Sequence, residues 1–221
     1  MPVSEFSARL LRRAGTFCVL IGMRQRVTLV PRRILLRLKL LMSSGFNRTA
    51  WITLLEKLGE ALGKDGPPVR LCVIGSAACL FGGMEGRTSR DLDVWRTASD
   101  YDRLELRRAA EHAGIEFDPK EPLEPDRPYL QIVDQGPTEL GIFTPILIDR
   151  FGRLELFRPP IENLVASKLI RGDPKDLGDI RFLVSLHRPD SDSIRQIVSK
   201  FTSRAREQAR ENLVYLEIFS E

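Results

Sequence analysis

Between residues 73 and 95 the chain reads VIGSAACLFGGMEGRTSRDLDVW. An apolar stretch runs into Gly75 and Ser76, crosses a glycine-rich segment and ends with Asp91 and Asp93 alternating with Leu92 and Val94. On a strand, residues two apart share a face, so Asp91 and Asp93 project together while Leu92 and Val94 point into a core. Two carboxylates held side by side repel unless a cation sits between them. Hard divalent ions such as Mg²⁺ or Mn²⁺ are held this way, by one or two carboxylates together with substrate phosphates. Upstream, a strand that ends at Gly75 and Ser76 and turns into a short helix beginning AACLF leaves backbone N–H groups pointing outward, an arrangement that holds phosphate. Each feature alone is ordinary, since a lone Asp-x-Asp is usually solvated and Gly-Ser is common turn chemistry. Their order, with the Arg-Thr-Ser-Arg loop 87–90 between them, points to a nucleoside-triphosphate site.

A second stretch, PPIENLVASKLIRGDPKDLGDIRFL (159–183), places Ile161, Leu164, Val165 and Lys168 on one helix face. A lysine on that packing stripe must snorkel out or meet an anion. The next helix has a start signal that needs no catalysis: Asp173 as cap, Pro174 at the first position and Asp176 at the third. His112 and His187 are far apart and lack partners at metal-ligand spacing. No Gly-x-Ser-x-Gly, Walker loop or dinucleotide fingerprint is present. Trp95 is expected to pack beneath the site. Arg204, Arg206 and Arg210 read as a solvated helix face.

Gly75, Ser76, fourteen intervening residues and then Asp91-Leu92-Asp93 resemble the signature of the polymerase-beta-like nucleotidyltransferase superfamily. The phrase GRTSRDLDV and the downstream Lys168, Leu169, Arg171, Lys175, Asp176 and Asp179 are similar to the branch of abortive-infection toxin nucleotidyltransferases and related uncharacterised bacterial domains. The resemblance covers roughly residues 70–96 and 159–184. It implies transfer of a nucleoside monophosphate from a triphosphate such as ATP to a hydroxyl, with release of pyrophosphate. Asp91 and Asp93 would hold the metal, and Asp134, Lys168 and Asp176 would join them in catalysis. Gly75, Ser76, Arg87, Lys168, Arg171 and Lys175 would bind the nucleotide. The acceptor is a tRNA, a protein or a small molecule, and a toxin–antitoxin setting with an antitoxin-type partner is implied. The superfamily usually adds a third carboxylate on a later strand. Asp134 is the first choice, Asp149 and Glu155 are alternatives, and Gln131 is the residue that would otherwise take the inward position. Without an acid there, the chain is a nucleotide-binding or protein-interaction module on the same fold.

Positioning these residues requires a small mixed sheet. Leu54, Leu55, Leu58 and Leu62 predict a helix over 49–63, VRLCVIG a buried strand, and Ser99 a helix cap with Asp102 at the third position. Residues 115–128 read as a loop; YLQIVD, PILID and RLELFR read as strands. Helices follow at 161–171, 175–187, 191–202 and 204–219. The expectation is an α/β (α+β) protein of the nucleotidyltransferase type: a basic leader (1–45), an α/β unit (46–159) and a C-terminal helical unit (160–221).

Composition bounds the rest. A chain that is 43% hydrophobic and 29% charged is that of an ordinary globular protein. The net charge of +4 conceals an asymmetry: residues 1–41 hold nine Arg and Lys against Glu5, a local +8, which leaves residues 42–221 at −4. The body therefore gives little support to generic nucleic-acid binding. The leader is Arg-rich and partly amphipathic, as a targeting or membrane-surface segment would be, but its run FCVLIG is too short to span a bilayer. A translation start at Met42, or a flexible basic arm, are the other readings of it. Three cysteines without paired spacing fit a reduced cytoplasm, and the shortness of that apolar run implies no stable membrane insertion.

Overall fold

The computed structural model describes residues 45–84, 86–121, 126–136 and 138–220. The expectations for the basic leader fall on residues 1–44 and so lie outside them. Val69, Leu71, Cys72, Val73 and Ile74 are all buried, so strand β1 (Val69–Ile74) has to be covered on both faces. It lies inside a six-stranded mixed sheet of order β3-β4-β2-β1-β6-β5. The other strands are β2 (Asp91–Trp95), β3 (Glu116–Phe117), β4 (Tyr129–Val133), β5 (Ile146–Phe151) and β6 (Leu154–Arg158). β1 runs antiparallel to β2 and parallel to β6, and β2 runs parallel to β4.

Side-chain alternation sorts the core into two layers. Val69, Leu71 and Val73 of β1, Leu92 and Val94 of β2, and Leu130 and Ile132 of β4 pack with helices α1 (Arg48–Leu62) and α3 (Arg103–Ala113). Cys72, Ile74 and Trp95 face the other way, onto the helices that follow the sheet. These are α4 (Ile161–Arg171), α5 (Pro174–His187), α6 (Ser191–Ser199), α7 (Ser203–Glu211) and α8 (Val214–Ser220). The short α2 (Gly75–Phe81) contributes to both layers. The molecule is thus α+β, and Asp91 and Asp93, in phase with Trp95, sit on the face turned towards the C-terminal helices. Among the described residues no helix is long and apolar enough to cross a membrane.

Three local expectations shift. Asp102, not Ser99, caps α3, its side chain accepting from the Glu105 N–H at 2.7 Å. The Ser99 hydroxyl is taken by the sheet: it accepts from the Cys72 N–H (2.9 Å) and donates to the Trp95 carbonyl (2.8 Å). Residues 115–128 hold strand β3, two residues too short to leave a periodic pattern. The helix expected over 204–219 breaks at Asn212, whose side-chain amide donates to the Leu169 carbonyl at 2.8 Å and so ties the turn to α4.

Gly59, in the middle of α1, marks a close approach of helix to sheet. A Cβ there would run into the backbone carbonyl of Phe151 on β5. Gly59→Ala should therefore lower stability by about 1–3 kcal/mol, as overpacking does, although alanine favours an exposed helix by about 1 kcal/mol. Urea denaturation of the two proteins measures the sign.

Candidate functional site

The antiparallel pairing of β1 with β2 sets Ile74 opposite Asp93, which brings the start of α2 against the carboxylate pair. Gly75 takes a φ of +63°, and a Cβ on it would lie 2.6 Å from Asp93 Oδ2, so a side chain there would be strained and would displace the carboxylate. Asp91 is oriented from two sides: Ser89 Oγ lies 2.9 Å from its Oδ1, and the Tyr129 hydroxyl lies 3.3 Å from its Oδ2. The Arg90 guanidinium stands 5.7 Å from the centre of the Tyr129 ring. Burial, with the Asp91 charge beside it, pushes the Asp93 carboxyl up to about 6, against the pull of Lys175, Arg171 and Lys168.

The facing wall comes from α4 and α5. Lys168 is only 5% exposed, and its ammonium donates to Asp176 (3.0 Å) and Asp179 (2.7 Å), themselves 1% and 0% exposed. Burial works against the ammonium, but Cys79, Asp179 and Asp176 together hold its pKa above the usual lysine range. Arg171 makes a two-nitrogen contact with Asp176, at 2.8 and 3.1 Å. Arg87 reaches Asp179 at 2.9 Å and the Ser76 hydroxyl at 3.2 Å. Three cations thus share two carboxylates. Between this wall and the sheet opens a cleft of about 210 Å³ whose lining includes Gly75, Asp93, Thr138, Ser167, Lys168 and Arg171.

Several expected site residues therefore meet: Gly75, Asp93, Lys168 and Arg171 line one cleft, with Asp91 beside Asp93 on the same strand face. Asp176 lies directly behind Lys168, and exposed Lys175 acts on Asp93 through its charge. Ser76 and Arg87 instead brace the back of α2, with Arg87 lining a separate depression. The structure does not bring Asp134 to the pair. It follows Val133 at the end of β4, out of phase with Gln131, and its carboxylate is 72% exposed near Arg96. Asp149 is exposed on β5, and Glu155 on β6 is occupied by Arg70 and Arg150. The residue in register with Asp93 on β4 is Gln131. Its amide donates at 2.9 Å to Asp118, a buried carboxylate that also receives Arg103 and Lys120. Asp118, Tyr129, Ser89 and Ser167 were not legible as site residues. Asp118 follows the two-residue β3, and the other three carry no spacing signal.

Two like charges two positions apart on one strand face, one of them partly buried with a raised pKa, form an all-oxygen donor set that fits a hard divalent cation sharing its remaining positions with phosphate. No group of three or more His, Cys, Asp or Glu gathers among the described residues, so those remaining positions would fall to water and ligand. α2 is only seven residues long, too short for its dipole to hold an anion by itself; Arg171, Lys168 and Lys175 supply the positive charge. Searches against protein-family models, curated proteins and solved structures found no match to the chain.

Two stability measurements follow from this geometry. A carboxyl raised from 3.8 to about 6 on folding leaves stability intact below pH 4 and removes it as pH rises through 6, by about 3 kcal/mol in the limit. Asp93→Asn should accordingly stabilise the metal-free protein by about 2–3 kcal/mol at pH 8, and the gain should vanish near pH 4 in denaturant titrations. Lys168→Met leaves two buried carboxylates short of a cation and should cost about 3–5 kcal/mol. Adding Asp176→Asn and Asp179→Asn should recover much of that loss.

Proposed function

We propose that the chain is a metal-dependent nucleotidyltransferase that moves a nucleoside monophosphate from a nucleoside triphosphate onto a hydroxyl acceptor, a tRNA, a protein or a small molecule. The observation that carries this reading is the single cleft in which the carboxylate Asp93, beside Asp91, faces Lys168 and Arg171 across Gly75. Asp91 and Asp93 would hold Mg²⁺ or Mn²⁺, which when bound neutralises charge on the transferring phosphate. Arg171 and Lys175 draw the polyphosphate in and orient it, and Lys168, held by Asp176 and Asp179, adds its charge from the cleft wall. Gly75 makes room for the Asp93 carboxylate against the backbone at the start of α2. The acceptor oxygen forms the new bond to the α-phosphorus, the bond to the bridging oxygen breaks, and pyrophosphate leaves with that electron pair. The acceptor proton passes to water, because Gln131 rather than an acid stands beside Asp93. Such catalysis rests on positioning and electrostatics. The nucleotidyltransferase-type sheet, the toxin–antitoxin setting and an antitoxin-type partner belong to the same proposal.

Gln131 also favours a second reading, a nucleotide-binding module that does not catalyse. The two separate in one experiment. Wild-type protein incubated with α-labelled triphosphates, Mg²⁺ and cell extract should transfer label to an acceptor, and the double variant Asp91→Asn, Asp93→Asn should lose at least about a hundredfold in rate. Calorimetric binding of Mg²⁺-triphosphate without any transfer would establish the module instead, and binding unchanged in the folded double variant would sink the site.

A further inference from the structure

Beside the first cleft lies a second of about 360 Å³, whose walls include Trp95, Leu140, Phe143 and Phe201, with Gln135 and Lys200 also lining it. The two clefts share Leu140. They also share a strand face, because Trp95 follows Asp93 by two positions on β2 and is buried with the C-terminal helices. Two strand positions span about 7 Å, a distance that one sugar bridges.

The loop forming the outer wall is tied down at successive residues. Asn163 donates to the Leu140 carbonyl at 2.6 Å, and the Thr202 N–H donates to the Glu139 carboxylate at 2.9 Å. Gly141 takes a φ of +71°, where a Cβ would press within 3.1 Å of Ile197. On this pinned loop Ile142 is 97% exposed. An isoleucine wholly in water on an anchored backbone, next to a cleft lined by aromatic rings, is an apolar wall awaiting a flat partner. Rings and aliphatic side chains engage the faces of a heteroaromatic ring, and a few polar groups engage its edge.

Resting on the phosphate-site reading above, we propose that this second cleft binds the base of the nucleoside triphosphate, with Phe143 and Ile142 against its face and Gln135 and Lys200 at its edge. Affinity then divides between the clefts: charge holds the polyphosphate, and the apolar walls hold the base.

The test titrates full-length protein with Mg²⁺-tripolyphosphate and with the Mg²⁺ complexes of ATP, GTP, CTP and UTP. At least one nucleotide should bind tenfold or more tighter than tripolyphosphate, and Phe143→Ala should reduce that ratio by about tenfold, the loss expected for one base stack. Ile142→Ser, a change at a side chain already in solvent, should reduce the ratio in the same direction and guards against a folding defect in Phe143→Ala. Equal affinity of wild type for nucleotide and tripolyphosphate, or a ratio untouched by both variants, would overturn the base cleft and leave the phosphate site standing. The first of these outcomes would pass the cleft to the acceptor. Failure of wild type to bind either probe would overturn the phosphate site, and this proposal with it.

Discussion

The Lys168 ammonium, buried between Asp176 and Asp179, is the contact on which the cleft depends. A charge out of water is tolerated only when its partners sit at hydrogen-bond distance on several sides. Meeting that condition forces α4 and α5 into one relative placement. Arg87 extends the constraint, since it binds Asp179 with the same guanidinium that reaches Ser76 of α2. Residues 76, 87, 168, 176 and 179, dispersed over half the chain, become one rigid unit behind the start of α2. An apolar core could join the same helices with equal stability. What the ionic version adds is a set of fixed charges beside the cleft, with Lys168 and Arg171 on its lining and exposed Lys175 close enough to act on Asp93.

Facing that wall is the carboxylate pair. Asp91 and Asp93 share a strand face, and the antiparallel register leaves no room between Asp93 and the Gly75 backbone. The strand geometry that buries Leu92 and Val94 is the one that forces the two carboxylates together, so their repulsion is built into the core. A cleft with Lys168 and Arg171 on one wall and a carboxylate pair on the other suits a cation bound together with a polyanion. A metal–nucleoside triphosphate has that composition, which is why the proposed activity follows from electrostatics more directly than from shape.

The sequence carried most of the strand face, because alternation over DLDVW and YLQIV dictates which side chains share a side. It also carried the packing stripe that buries Lys168. Other features were beyond its reach for physical reasons. Whether Lys168 meets a ligand or a carboxylate depends on how two helices cross, and the structure shows the carboxylates. Asp134 looked suitable as an acid at the end of a strand, yet one position of phase sends it to solvent while Gln131 takes the place beside Asp93. Asp118 lay in a stretch with no periodicity, and its four donors arrive from α3, β4 and its own loop. The helix caps were legible in kind, but Ser99 was claimed by a backbone N–H twenty-seven residues away in sequence, a competition that local pattern does not record.

The central claim is that Asp91 and Asp93 carry a divalent cation that shares a triphosphate with the Lys168–Arg171 wall. A crystal structure of the protein with Mn²⁺ and a non-hydrolysable nucleoside triphosphate tests it most directly, because the anomalous signal of manganese locates the ion without reference to the protein density. Manganese bound by both carboxylates, with phosphate oxygens completing its coordination and lying against Gly75 and Arg171, is the predicted result. Nucleotide bound elsewhere, or bound in this cleft with no manganese at the two aspartates, would contradict it.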